Sequence, residues 1–356
     1  MDKKYLTVYE NIKKSIVSGA YAYGDKLPSK RVVAEKFGFS ILTVEHAYEL
    51  LTLEGYILPK ERSGFFVSYK RGETFGDVRG EISKDSEIDG EKGTEQFPFS
   101  VYASAIRFVL SEYGEKLYLK SQNTGTAELK KAICDYLARN RGIFATSEQI
   151  VIGSGAENLY GMITELFPEN YVYAIENPSY EQIEKVYTAK GVKIERLELG
   201  ADGILTECLE KSNADILHVT PFRSFPTKVS ATAEKKNEYL AWASERSGRF
   251  IVEDDYESEF SLSPKTANTI FERDKCGCVI YINTFSNTIA PSLRVGYMVL
   301  PKSLVETFNE KLGFYSCSVP VLEQYLIAKL LNDGSFERHL NRVRRLRKGK
   351  TESEKK

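Results

Sequence analysis

Residues 280–297 read I-Y-I-N-T-F-S-N-T-I-A-P-S-L-R-V-G-Y. The apolar start predicts a buried strand, and it runs straight into a turn rich in hydroxyls. Arg294 follows seven positions after Asn287. Hydroxyl donors, free backbone N–H groups and a guanidinium together suit a phosphate. The turn contains no lysine, cysteine or histidine. It has the make-up of an active site without its reactive residue.

Working outward, the same grammar recurs. V-I-G-S-G-A-E-N-L-Y-G-M-I goes strand, Gly-rich turn, helix. Y-V-Y-A-I-E-N-P-S-Y, D-I-L-H-V-T-P and R-F-I-V-E-D-D-Y are strands that end in loops. Strands alternating with helical stretches predict an α/β domain with a mostly parallel sheet. Ligands in such sheets sit at the carboxyl ends of the strands. Those ends carry Ser154, Gly155 and Ala156, then Tyr180, Thr220, Asp254 with Tyr256, and Ser286. A Gly-rich turn opening a helix offers N–H groups to an anion, and Ser286 and Arg294 add donors. Asp254 can pair with a protonated ring nitrogen, and Tyr180 can stack on the ring. Each piece alone has a plainer explanation, such as a solvated loop or a helix cap. Together they describe a pyridoxal phosphate site.

The bulk numbers fit two or three domains in 356 residues, with 42% hydrophobic content and a net charge of −1. No apolar run approaches the roughly 20 residues that span a bilayer. The charged start M-D-K-K-Y predicts no secretory signal. Five irregularly spaced cysteines argue against a disulfide framework and a zinc site, and for a cytoplasmic protein. Three scattered histidines make a metal site an unfavoured expectation. Residues 71–96 are charged, glycine-dotted and poor in apolar residues, which predicts a flexible linker between a domain over 1–70 and another over 97–356.

The first seventy residues differ. Tyr5, Val8, Ile12, Ile16 and Val17 keep a helical spacing up to Gly19. Ser29 can cap a helix over Lys30–Phe37 that Gly38 stops, and Ser40 one over Ile41–Glu54 that Gly55 stops. Two short helices about a glycine turn predict a helix-turn-helix. The alternating stretch after Tyr56, turning near Ser63-Gly64, predicts a two-stranded wing. Basic residues exceed acidic ones here by about three, which favours phosphate contacts.

The stretch L-P-S-K-R-V-V-A-E-K-F-G-F-S-I-L-T-V-E-H-A-Y-E-L-L-T-L-E-G-Y-I resembles the winged helix of the GntR family of bacterial regulators. The resemblance implies promoter DNA as a partner, with Ser29, Lys30, Arg31, Ser40, Thr43, His46, Arg62 and Gly64 facing it. Family members commonly carry Arg-Asn where this chain has Ile41-Leu42. Those side chains can touch only thymine methyls, which predicts weaker binding or a more A/T-rich operator.

V-I-G-S-G-A-E, E-N-P-S-Y, V-T-P-F-R-S-F-P-T, I-V-E-D-D-Y-E-S-E-F and T-F-S-N-T-I-A-P-S-L-R-V-G-Y resemble the fold-type-I aminotransferase domain of MocR-type regulators. That resemblance covers almost the whole chain. It implies pyridoxal phosphate as cofactor, a homodimer, and a small amino-acid or vitamin B6 effector. It assigns Tyr180 to ring stacking, Asp254 to the ring nitrogen, Tyr256 to the ring hydroxyl, and Ser286 and Arg294 to the phosphate. Asn287 stands where the family pattern T-F-S-K-T has the Schiff-base lysine. A carboxamide nitrogen is neither basic nor nucleophilic, so no catalytic residue remains and transamination is expected to fail. Glu157 replaces a common glutamine, and a carboxylate beside a phosphate dianion is unfavourable. The C-terminus is expected to be truncated, leaving the small domain incomplete. The basic run Arg342, Arg344, Arg345, Arg347, Lys348 reads as a solvated helix face. The leading expectation is a DNA-binding regulator with a degenerate sensor and dimerisation domain. The alternatives are a pyridoxal phosphate-dependent aminotransferase and a decayed regulator without function.

Overall fold

The structure, a computed structural model, describes residues 4–60, 63–69, 96–261 and 269–354. Two units partition the chain, Met1–Gly90 and Glu91–Lys356. The linker expected over 71–96 lies outside the described residues except for Gln96, and so does Arg62.

The first unit opens with α1 (Lys4–Val17), which buries Val8, Ile12 and Ile16, one residue per turn of one face. In α2 (Lys30–Phe37) the Ser29 hydroxyl accepts the N–H of Val32 at 3.4 Å, and Gly38 closes the helix at φ 67°, a left-handed backbone that suits glycine. In α3 (Ile41–Leu53) the Ser40 hydroxyl accepts the N–H of Thr43 at 3.2 Å. The strands β1 (Ile57–Lys60) and β2 (Gly64–Val67) pair antiparallel, with Ile57 opposite Val67 and Lys60 opposite Gly64. Val33, Val44, Ala47, Tyr48, Leu51 and Ile57 complete a small core with α1. The Tyr48 hydroxyl donates to the carbonyl of Pro28 at 2.7 Å, which satisfies the one polar atom that this ring brings inside. The expected helix-turn-helix and wing are both present.

The second unit is a seven-stranded sheet clothed by helices. Its strands are β3 (Ile150–Gly153), β4 (Val172–Asn177), β5 (Lys193–Glu198), β6 (Ile216–Val219), β7 (Phe250–Asp254), β8 (Val279–Thr284) and β9 (Gly296–Val299). Their order is β3-β9-β8-β7-β6-β4-β5, and only β9 runs against the rest. The described helices are α4 (Phe99–Tyr113), α5 (Ala127–Arg141), α6 (Ala156–Leu166), α7 (Glu181–Ala189), α8 (Thr206–Lys211), α9 (Ala233–Ser244), α10 (Ile270–Arg273), α11 (Lys302–Leu312), α12 (Val321–Asn332) and α13 (Ser335–Glu354).

Strand periodicity assigns the layers. Ile150, Ile152, Tyr281, Tyr297 and Val299 pack with α5, α12 and α13, whereas Val151, Ile280, Ile282 and Met298 pack with α6 and α11. Further along the sheet, Leu217, Ile251 and Val279 pack against Tyr239 and Trp242 of α9. Both faces are therefore buried, which is why these strands read as nearly continuous apolar runs. In α13, Arg344 donates from Nε to the carbonyl of Glu259 at 2.7 Å, and Arg347 lies 4.4 Å over the Phe260 ring. The helix face read as merely solvated is partly a docking face.

Pleating turns two adjacent acids to opposite sides of the sheet. Asp254 accepts a hydrogen bond from Tyr160 of α6. Asp255 accepts one from Tyr281 at 2.5 Å and lies 2.8 Å from Nη2 of Arg141 on α5. Burial works against the charge of Arg141. Asp255, Tyr281 and Glu259 together outweigh burial and keep the guanidinium protonated.

Candidate functional site

A cleft of ≈ 210 Å³ opens at the carboxyl edge of this sheet. Each wall comes from the segment that follows a strand. Ala156, Glu157 and Tyr160 come from the first turns of α6, after β3. Tyr180 and Ile183 follow β4, Thr220 and Phe225 follow β6, and Asp254 ends β7 with Tyr256 just beyond. Thr284, Ser286, Asn287 and Arg294 belong to β8 and the turn after it.

The floor is a buried carboxylate in a polar lattice. Burial, and next the charge of Asp254, push the Tyr160 phenol well up, so Tyr160 keeps its proton and donates it to Asp254. His218 sits beneath, with Nε2 3.7 Å from Asp254 and Nδ1 2.7 Å from the hydroxyl of Tyr187. Its Nε2 is buried without a hydrogen-bond partner among the described residues. Nearby, Glu176 at the end of β4 accepts hydrogen bonds from Ser224 and from the N–H of Thr220. Burial pushes its carboxyl up to about 8.

The rim is aromatic and open. Tyr180 meets Phe225 edge to face, with centroids 6.1 Å apart at 86°. Tyr180, Phe225 and Tyr256 are all exposed.

The opposite end is crowded by its own contacts. Arg294 pairs with Glu157. Gly155 lets the guanidinium approach, since a Cβ there would stand 2.5 Å from Arg294 Nη2, and its φ of +91° also disfavours a side chain. The N–H of Ser154 donates to Oδ1 of Asn158 at 3.0 Å, and that of Gly155 donates to the carbonyl of Gly153 at 2.9 Å. The Ser286 hydroxyl donates to the carbonyl of Leu293 at 2.9 Å. Asn287 is exposed, and its carboxamide makes no hydrogen bond with a described residue. No lysine lines the cleft among the described residues, and Lys228 is exposed outside it.

Of the residues expected here, Ala156, Tyr180, Asp254, Tyr256, Ser286 and Arg294 come together around the cleft. Ser154 and Gly155 stand behind it and shape the turn. Sequence reasoning missed Tyr160, Phe225 and His218. A usable signal existed for Tyr160, because it lies four residues after Ala156 on one helix face.

The winged-helix unit presents its candidates on α2 and the start of α3. Ser29, Arg31, Ser40 and His46 are exposed, and Lys30 and Thr43 are half-buried. Several are engaged at home: Lys30 pairs with Glu45, the Ser40 and Thr43 hydroxyls lie 2.8 Å apart, and His46 meets Tyr5 edge to face. Gly64 opens β2 beside Lys26, whose Cε would lie 3.3 Å from an added Cβ. Ile41 and Leu42 are 48% and 65% exposed, so the two apolar side chains at the head of α3 do face outward.

A winged helix joined to a cleft at the head of a parallel sheet defines a DNA-binding regulator with an aminotransferase-like domain. The comparisons agree. Residues 4–67 match the bacterial regulatory proteins of the gntR family, and residues 87–352 match aminotransferase class I and II. The uncharacterized HTH-type transcriptional regulator YdeL of Bacillus subtilis is 32% identical over 353 residues, which is 96% of this chain and 76% of that protein. The probable rhizopine catabolism regulatory protein MocR of Rhizobium meliloti is 29% identical over 95% of this chain and 74% of its own. The solved structure of LysN, an α-aminoadipate aminotransferase of Thermus thermophilus, is 27% identical with a TM-score of 0.63, covering 71% of this chain and 65% of that one. The chain spans about two thirds of the length of the solved aminotransferases it matches. It belongs to the GntR/MocR-type transcriptional regulators, which carry an aminotransferase class I and II domain.

That domain's family depends on pyridoxal phosphate, so the residues here can be tested against that cofactor. The ring end fits: Asp254 offers a carboxylate to a ring nitrogen, and Tyr180 offers a face. The other two ends do not. Among the described residues no amine lines the cleft for the aldehyde, and Ser154, Gly155, Ser286 and Arg294 each already bond within the protein. Among the described residues no group of His, Cys, Asp or Glu could hold a metal, and no helix is long and apolar enough to cross a membrane.

Proposed function

We propose that this regulator reads promoter DNA with its winged helix and uses the aminotransferase-like domain as a non-catalytic sensor and dimerisation domain. The observation that carries this reading is Asn287, a carboxamide on the cleft wall in a lining that holds no amine among the described residues. Its nitrogen lone pair is delocalised into the carbonyl, so it neither attacks an aldehyde nor shuttles a proton. Pyridoxal phosphate is then held without a covalent bond, or not at all, and the effector is a small amine or a form of vitamin B6. Ser29, Lys30, Arg31, Ser40, Thr43, His46 and Gly64 form the DNA-facing surface, with Arg62 in the wing. A homodimer in the cytoplasm doubles the contacts through effective concentration. In this reading residues 1–70 serve DNA, 71–96 are a tether and 97–356 are the sensor.

The test is chemical trapping. Purified protein is incubated with pyridoxal 5′-phosphate, reduced with borohydride and weighed by intact mass spectrometry. No added mass is expected, and a stable adduct on any cleft residue overturns the reading. Asn287→Lys is expected to gain one adduct. In a parallel binding assay, Arg31→Ala is expected to weaken promoter and non-specific DNA alike and to flatten the salt dependence by about one counterion.

A further inference from the structure

We propose that the cleft is built for a protonated, non-phosphorylated aromatic amine, with Glu157 occupying the place an anionic ligand group would need. The inference rests on the non-covalent reading above and adds the chemical class of the ligand.

Three observations carry it. The first is the state of the anion end. The N–H groups of Ser154 and Gly155 are taken by Asn158 and Gly153, the Ser286 hydroxyl by Leu293, and Nη2 of Arg294 by Glu157. A phosphate arriving there must displace Glu157 from Arg294 and turn the Ser286 hydroxyl away from Leu293 before those two groups can serve it.

The second is charge. The cleft is lined by two acids, Asp254 and Glu157, and one base, Arg294. With Arg294 already neutralised, the remaining charge is negative. The Arg294–Glu157 pair is 49% and 38% exposed on its two side chains, so the pair itself is weak and a dianion can pull it apart. The freed Glu157 carboxylate then stays beside the dianion, and that repulsion is what discriminates.

The third is the lining that remains. Asp254 is only 7% exposed, and Tyr180, Phe225 and Tyr256 provide aromatic surface around it. A desolvated carboxylate among aromatic faces is a site for an aromatic cation. Asn287 adds an exposed carbonyl that can accept a hydrogen bond from an ammonium.

The test is calorimetric titration of the full-length protein with pyridoxamine, pyridoxal 5′-phosphate and inorganic phosphate. Pyridoxamine is expected to bind about tenfold tighter than pyridoxal 5′-phosphate, a difference of about 1.4 kcal/mol. Inorganic phosphate is expected not to compete with it. Glu157→Gln removes the repelling charge, so it is expected to tighten the phosphate ester about tenfold while pyridoxamine does not improve. Pyridoxal 5′-phosphate binding tighter than pyridoxamine to the native protein overturns the inference. So does an unchanged ratio in Glu157→Gln, or no pyridoxamine binding at all. The two readings fail differently: tight reversible binding of pyridoxal 5′-phosphate sinks only the ligand class, whereas a borohydride-stable adduct sinks the non-catalytic reading beneath it.

Discussion

The winged helix and the cleft use their side chains in opposite ways. In the winged helix the candidate reading groups lie on the outside, on two short helices whose ends are fixed by Ser29, Gly38 and Ser40. Its core is small and apolar apart from satisfied groups such as Tyr48. In the second unit the ionisable groups lie inside, with Asp254 on the cleft floor and Asp255, Glu176, Glu253, Glu259 and Arg141 buried around the sheet. A surface site tolerates change because water replaces any lost partner. A buried ionic site does not, because an orphaned charge has nowhere to go. Damage to the second unit should therefore appear first as lost stability, and damage to the first as lost affinity.

The largest break is expected at Arg141→Ala. It strands Asp255 and Glu259 in the interior, and unfolding in urea should show a loss of about 3–5 kcal/mol. A loss as small as that of a surface substitution would erase the contrast between the two units. Next comes pH. Glu176 keeps its proton up to about 8, against an ordinary 4.5, chiefly through burial. Between those values the unfolded chain releases the proton and the folded chain holds it, so stability falls as pH rises through this window. Glu176→Gln is expected to flatten that fall by an amount on the order of a few kcal/mol, read from denaturation midpoints at pH 5 and at pH 8.

The winged helix should give smaller effects. Leu42→Ala is expected to cost about 1 kcal/mol of operator affinity at A/T-rich half-sites, with little change in thermal stability, because this side chain is exposed. Competition between thymine and uracil at the contacted positions would reveal whether a methyl group is being touched. Ser40→Ala removes the cap of α3 and is expected to cost about 1 kcal/mol of folding free energy in this unit. These two substitutions have the smallest expected effects of the four, and their comparison with Arg141→Ala sets the scale of the contrast.

How much of this was legible follows the same division. Local signals wrote the winged helix: α2 runs over Lys30–Phe37 as its serine and glycine predict, and α3 ends one residue before the expected Glu54, which serves as its cap. The parallel strands were legible because burial on both faces makes them apolar throughout. Two strands were not. β5 is K-I-E-R-L-E, an edge strand with mostly polar residues, and β9 is four residues long and placed between β3 and β8 by long-range pairing. In the cleft the identities of the ring-end groups could be read from strand ends. The internal engagement of Ser154, Gly155, Ser286 and Arg294 could not, since it depends on distances between segments far apart in sequence. Only Glu157 hinted at it, as a charge out of keeping with a phosphate.

The adjacent pair Asp254 and Asp255 has a mechanical consequence. One residue forms the floor that a ligand would press on, and its neighbour is bolted from behind to Arg141 and Tyr281. A force arriving at the front of the sheet is met by an anchor one peptide away. The floor is thus a fixed datum, in contrast to the exposed aromatic rim of Tyr180, Phe225 and Tyr256.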